Sequence, residues 1–370
     1  MNTWPDRRIL DLFGIDLPII LAPMAGPGTP ALAIAVSDAG GLGSLPCAQL
    51  SIDETRAALE AIGPAASRAL NLNFFCHSPP EADPTRELNW RARLAPYYAE
   101  LGLDPGATPG AVGRRPFDED FCQVVESYRP RAVSFHFGLP SPELLARAKS
   151  SGAKIISSAT TVAEACWLEN HGCDAVIAMG SEAGGHRGNF LTMDMARQVG
   201  TFALVPQVAD AVRIPVIAAG GIADARGIVA ALALGAAAVQ IGTAYLFCPE
   251  AKLSKTYLAA LDACGDEDTA ITNVFTGRPA RGIVNRLVRE QGPLSELAPQ
   301  FPLAAGALAS LKAKSEAMGA GDFSNLWSGQ AARLARRSLP ARELTRVLAE
   351  EALEKLASFH VFDSRSPDLT

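Results

Sequence analysis

A chain of 370 residues with 48 % hydrophobic and 19 % charged residues is globular rather than disordered, and long enough for one large domain plus an appendage. A net charge of −6 argues against nucleic acid as the main partner, and no run of about 18 apolar residues marks a membrane span. Seven cysteines without a C-x-x-C pair read as reduced, mostly packing residues, and the N-terminus has no apolar signal core, so the expected compartment is the cytoplasm.

Taken in order, the chain alternates short apolar runs with helical segments. Residues 7–13 predict one or two helical turns. Residues 17–24 predict a buried strand closed by prolines, and Pro30 is placed to begin a helix over 31–39 that Gly40 and Gly41 end. Residues 42–45 form a second strand. Ser51 caps a helix to Ile62, with Glu54 at capping-box spacing. Residues 69–75 are the third strand. The rhythm then breaks: 76–118 are rich in Pro, Arg, Glu and Gly, the composition of a lid, a cap or a surface loop, with a helical stretch over 90–101. It resumes with a helix over 118–127 and strands at 132–137, 154–158, 175–179, 215–219 and 237–242. The helices between them cover 142–150, 161–170, 202–212 and 224–234.

Eight such units predict an α/β fold, a (β/α)8 barrel over residues 1–250, with the insertion at 76–118. An open doubly wound sheet is the runner-up, weakened because no G-x-G-x-x-G follows the first strand. After Cys248 the pattern changes. Helices are expected over 251–264, 303–318 and 339–359, with 272–288 mixed, so residues 251–370 read as a small, mainly helical appendage covering part of the barrel mouth. The arginines at 333, 336, 337, 342 and 346 read as a solvated helix face.

In such barrels the loops at the carboxyl ends of the strands form the site. Met24, Asn73, His136, Gly184, Gly185, His186, Gly220, Gly221, Gly242 and Thr243 all fall at or near those ends. The paired glycines after the last two strands suit a phosphate, because exposed N–H groups, a hydroxyl and a helix start together receive a dianion. His186, directly after Gly184 and Gly185, is placed to exchange a proton or polarise an oxyanion. His136 alternates to the face opposite Phe135 and Phe137. His77 is expected at the surface, and His171 and His360 are expected to be structural. Glu182 is placed to pair with Arg187. With no H-E-x-x-H and scattered histidines, no metal site is expected, and no G-x-S-x-G elbow marks a serine hydrolase.

These motifs together resemble the nitronate monooxygenases, formerly called 2-nitropropane dioxygenases. The match lies in A-P-M-A-G (22–26), N-F-F (73–75), G-S-E-A-G-G-H-R-G (180–188), A-A-G-G-I (218–222), Q-I-G-T (240–243) and L-W-S-G-Q (326–330). The resemblance implies an FMN enzyme that oxidises alkyl nitronates with O2. Its substrate is anionic, of the propionate 3-nitronate type, and its products are a carbonyl compound plus nitrite or nitrate. By the same resemblance Asn73, Gly184, Gly221, Gln240, Gly242 and Thr243 contact FMN, joined by their neighbours Gly185 and Gly220, and Met24 packs on the flavin. His186 faces the substrate, with His136 nearby. Met179 stands at a flavin-facing position where the family usually has glutamine. The family's late Tyr–Tyr–Lys pattern falls on Phe301, Ala305 and Ala309. A monomer or homodimer is expected. Two other readings stay open: an FMN barrel passing hydride from NAD(P)H to a quinone or an enoyl thioester, and a non-enzymatic barrel that binds a phosphorylated ligand.

Overall fold

The computed structural model describes residues 4–63, 69–81, 83–106 and 114–363, with side chains to residue 358. Parts of the 76–118 insertion and the side chain of His360 lie outside that set. Eight parallel strands run in the order β1, β9, β8, β6, β5, β4, β3, β2. They are β1 (Ile19–Leu21), β2 (Gly43–Pro46), β3 (Leu70–Phe75), β4 (Ala132–His136), β5 (Lys154–Ala159), β6 (Ala175–Met179), β8 (Val216–Ala219) and β9 (Ala238–Ile241). The sheet closes on itself where Leu21 N–H donates to Leu42 O at 2.9 Å and Leu42 N–H donates to Ile19 O at 3.0 Å. The result is the eight-stranded barrel that the alternation predicts. Each strand lies within one or two residues of its expected place, except the first, which shrinks to three residues inside the predicted 17–24.

The helices begin where short polar side chains can take the free N–H groups of a first turn. Thr29, Asp118, Ser141, Thr161 and Asp224 each accept from a first-turn N–H, and Ser51 and Glu54 form the reciprocal capping box. Apolar faces of these helices pack on the strands in one large core that includes Ile19, Leu42, Leu72, Val133, Ile155, Val176, Ile217 and Val239. Inside the barrel a polar layer interrupts the apolar filling. Asn71 Nδ2 donates to Ser44 Oγ at 3.0 Å and to Ser134 Oγ at 2.9 Å, which offsets the cost of burying its amide N–H groups.

The stretch after residue 250 divides into two parts. Helices over Lys255–Ala263 and Ala309–Ala317, and the strands β10 (Thr269–Thr272) and β11 (Ala280–Ile283), stand at the barrel mouth. The insertion helix Pro84–Glu100 joins them: Trp90, Leu94, Tyr97 and Tyr98 share a second core with Leu287, Val288, Leu308, Leu311 and Phe323. The last helix, Ala341–Asp363, returns to the barrel wall. It packs against helices 30–38 and 225–233, with Thr345 Oγ1 2.7 Å from the hydroxyl of Tyr245.

One short strand ties the two parts. β7 (Gly185–His186) leaves the loop after β6 and pairs antiparallel with β11, with His186 opposite Ala280 and Gly185 opposite Arg281. Thr276 and the Ser328–Gly329 turn therefore belong to the same rim as the loop that carries His186.

Candidate active site

A cavity of about 650 Å³ opens at the carboxyl ends of the strands. Met24, Asn73, His136, Met179, Gly184, Gly185 and His186 line it, as do Gly220, Gly221, Gln240, Gly242 and Thr243. The structure thus gathers into one space residues that the sequence spreads over more than two hundred positions.

The glycine turns are built for close approach. Gly220 and Gly221 hold φ +114° and +70°, backbone that side-chain-bearing residues adopt only with strain. Among the described residues no acceptor takes the N–H groups of Gly221 and Ile222. Thr243 begins a 3-10 helix to Phe247, and its Oγ1 accepts from Gly329 N–H at 3.0 Å, so the hydroxyl proton remains free to donate. Asn73 Nδ2 donates to Ser134 Oγ at 2.9 Å, which leaves its Oδ1 as an acceptor for a ligand N–H.

The imidazoles differ in what they can do. His136 Nε2 lies 3.0 Å from the carbonyl oxygen of His186, and its Nδ1 3.1 Å from Ser158 Oγ. A carbonyl only accepts, so Nε2 carries the proton and Nδ1 accepts from the Ser158 hydroxyl. Both nitrogens are engaged, and His136 holds the backbone of His186. His186 Nε2 lies 2.9 Å from Thr276 Oγ1, whose hydroxyl donates to the carbonyl of Arg278 at 3.3 Å. Thr276 therefore accepts from Nε2–H, which leaves the lone pair of His186 on Nδ1. Burial pushes His186 well below the ordinary histidine range, and the positive charges of Arg114 and Arg278 act in the same direction. Burial likewise lowers His136 and His77 to about 4.

These three rings make the apoprotein acid-sensitive. In the unfolded chain histidines titrate near 6.5, whereas here protonation is deferred to lower pH. Below pH ~6.5 the unfolded state binds more protons, so stability is lost as pH falls toward about 4, by up to roughly 1.4 kcal/mol per pH unit for each group. Urea unfolding followed at pH 7, 6 and 5 is expected to show this decline. A flat profile would mean that the rings are not buried neutral.

Two expectations need correction. His77 is buried, only 8 % exposed, because Phe301 stacks edge-on to it at 4.8 Å from a segment more than two hundred residues later. Glu182 and Arg187 do not pair. Glu182 accepts from Thr201 N–H at 2.8 Å and Thr201 Oγ1 at 2.8 Å. Arg187, fully buried, donates to the carbonyls of Met179 and Gly180 and to Gln198 Oε1, each at 2.8 Å. It thereby fixes the end of β6 and the start of the His186 loop. Replacing Arg187 by methionine removes three charge-assisted hydrogen bonds, leaving the Gly180 carbonyl only the Ala183 N–H, and is expected to cost about 3 kcal/mol or more in urea melts. Lysine, a single point donor, should recover only part of that. A loss under 0.5 kcal/mol would show that the loop is held elsewhere.

The cavity also contains residues the sequence did not reveal. Tyr257 donates to Trp327 O at 2.5 Å, and Lys312 Nζ donates to Asn325 Oδ1 at 2.9 Å; all four residues line the cavity. A tyrosine and a lysine are thus present although the expected late pattern falls on Phe301, Ala305 and Ala309. Both sit on mouth helices, and no periodicity tells which helix face meets a barrel rim. Trp327 stands 5.4 Å from the His186 ring, so an aromatic wall faces the imidazole.

A (β/α)8 barrel that gathers paired-glycine turns and a buried imidazole around one cavity at the carboxyl ends of its strands has the architecture of a barrel enzyme. Comparison with known proteins narrows this. The family model described as nitronate monooxygenase matches residues 6–351, and the chain belongs to that family. It is 43 % identical over 347 residues to the nitronate monooxygenase of Pseudomonas aeruginosa, covering 93 % of this chain and 98 % of that one. It is 41 % identical to that of Paraburkholderia phytofirmans, covering 96 % and 98 %. Among solved structures, nitroalkane oxidase from Streptomyces ansochromogenes superposes with TM-score 0.86 at 36 % identity, covering 95 % and 99 %. FabK from Thermotoga maritima superposes with TM-score 0.71 at 29 % identity, covering 96 % and 98 %. The protein is therefore an oxidoreductase of the nitronate monooxygenase family. Among the described residues no group of side chains is arranged to hold a metal ion, and no helix is long and apolar enough to cross a membrane.

Proposed function

We propose that this protein holds FMN and oxidises alkyl nitronates with O2 to a carbonyl compound plus nitrite or nitrate, propionate 3-nitronate being the expected type of substrate. The observation that carries this reading is the meeting of His186 Nδ1, the unpaired lone pair of a neutral imidazole, with the free N–H groups of Gly221 and Ile222 on one cavity. The donor set fits FMN. Gly221, Gly242 and Thr243 would hold the phosphate, with Gly220 providing the turn. Asn73, Gln240, Gly184 and Gly185 would contact the flavin, and Met24 and Met179 would pack on it. When bound, FMN supplies the electron acceptance and the reactivity toward O2.

The chain's own residues orient and protonate. Phe75, Trp327 and Phe301 surround the His186 ring at 6.1, 5.4 and 5.3 Å and exclude water from it. A nitronate is already an anion and needs no base. Its charge beside the imidazole favours the protonated ring, which would then donate to a nitronate oxygen. A neutral nitroalkane instead has a C–H proton to lose, and Nδ1 is free to take it. His136 and Thr276 keep the ring in register through the His186 carbonyl and Nε2.

Anaerobic addition of propionate 3-nitronate, NADH or NADPH to the flavin-loaded protein tests the proposal. Bleaching by the nitronate alone is expected. Rapid bleaching by NADPH without nitronate would instead support the hydride-transfer reading.

A further inference from the structure

Beside His186 basic and aromatic side chains form a cluster. Phe137 and Phe301 pack with ring centroids 5.6 Å apart. The guanidinium of Arg278 sits 3.8 Å from the Phe137 centroid, and that of Arg114 5.4 Å from the Phe301 centroid. His77 closes the edge at 4.8 Å from Phe301. Three nitrogens here are shielded from solvent and have no partner among the described residues: the guanidinium nitrogens Arg114 Nη1 and Arg278 Nε, and the ring nitrogen His77 Nδ1. Buried guanidinium N–H groups are seldom left unmatched in a native structure, so two of them in one place call for a ligand.

Acidic groups do not fill that role. Among the described residues no ion pair reaches Arg114 or Arg278. Glu164 acts on Arg278 through space, but its oxygens are taken by the N–H groups of Thr160, Phe190 and Leu191 and by the Thr160 hydroxyl. Burial lowers both arginines only to about 10, so both are cations at neutral pH.

Both arginines are also tied to the cavity. With its amide oxygen turned toward Arg114, Gln49 accepts from Nη2 at 3.1 Å and Nε at 3.3 Å, and Gln49 lines the cavity. Arg278 offers its carbonyl to Thr276, the residue that binds His186, and donates from its guanidinium to Asn189 O. Each arginine thus touches a residue that lines the cavity or that holds His186.

The geometry points to a carboxylate subsite: Arg114 and Arg278, with His77 closing the edge, receive the acidic tail of a nitronate whose reacting end lies at His186. This inference rests on the nitronate-oxidising reading for the reacting end, and it makes the arginine pair the determinant of which nitronates this protein prefers. A carboxylate between two guanidinium groups takes charge-assisted hydrogen bonds from both, whereas an alkyl tail leaves those donors unmatched.

The test compares propionate 3-nitronate with propyl-1-nitronate, which lacks the carboxylate, for the flavin-loaded wild type, Arg278→Met and Arg114→Met. The wild type is expected to prefer the carboxylated substrate in kcat/KM by at least about tenfold, and each variant to lose most of that ratio. A second measurement needs no turnover: malonate should raise the melting temperature of the wild type and leave that of Arg278→Met unchanged. Equal kcat/KM for the two nitronates in the wild type, or malonate shifts that are the same in wild type and variants, would overturn the subsite and leave water as the partner of the three nitrogens. If neither nitronate is oxidised while malonate still discriminates wild type from variant, the nitronate reading fails and the subsite stands.

Discussion

Replacing His186 by asparagine is expected to lower kcat/KM for a neutral nitroalkane by about 10²- to 10⁴-fold, the usual contribution of a positioned general base. For the matching nitronate the expected loss is about tenfold, the size of one hydrogen bond to a charged group. The asymmetry follows from the tautomer. With Nε2–H committed to Thr276, the free nitrogen is the lone-pair-bearing Nδ1. Such a nitrogen serves a C–H acid fully and an anion only after the ring takes up a proton. Steady-state kinetics on both substrates measures the split, and the pH profile adds a second check. Because burial holds the ring below the ordinary histidine range, the base form dominates at neutral pH. The wild-type kcat/KM for nitroalkane should therefore be level above pH ~6.5 and fall only on the acid side, a limb that disappears in the asparagine variant. Full activity of that variant on both substrates would remove His186 from the chemistry.

Gly184→Ala is expected to abolish flavin retention and to destabilise the fold. A Cβ at this position would lie 2.5 Å from Gly329 N and 2.7 Å from the carbonyl carbon of Ser328, both backbone atoms with no rotamer to relieve the clash. The loop after β6 and the Ser328–Gly329 turn would have to separate, which carries Thr243 with them through its bond to Gly329. Overpacking of this kind costs about 1–3 kcal/mol. Its larger effect is on the cavity, whose two sides would no longer meet. The ratio of flavin to protein absorbance after purification, with a thermal melt on the same sample, reads both effects. Wild-type flavin content in Gly184→Ala would show that the two segments are not in contact in solution.

The barrel was legible because its signals are local. A short apolar run, a turn and a capped helix are each written in about ten consecutive residues, and eight repetitions leave few alternatives. The glycine turns and His186 were legible for the same reason: barrel strands end at one rim, so residues that follow them share that rim. What the sequence concealed depends on segments that meet only in space. Nothing near His77 signals that Phe301 will cover it. Arg187 and Glu182 look like a local pair, but each finds a better partner: buried carbonyls for one, the first turn of the helix at Thr201 for the other. Tyr257, Lys312 and Trp327 lie beyond the repeating units, where no rule assigns a helix face to the mouth. Arg114 and Arg278 are ordinary surface residue types whose isolation from acids becomes visible only in three dimensions.

The pairing of β7 with β11 bears on how the protein is made. During synthesis all eight barrel strands have been made once residue 241 is added, whereas the helix Ala341–Asp363 that packs on the barrel wall follows only near the end. Thr276, the strand opposite His186 and the Gly329 turn are still to come. The growing chain thus carries His186 on a loop without these braces, and the rim of the cavity is complete only once residue 329 has been made.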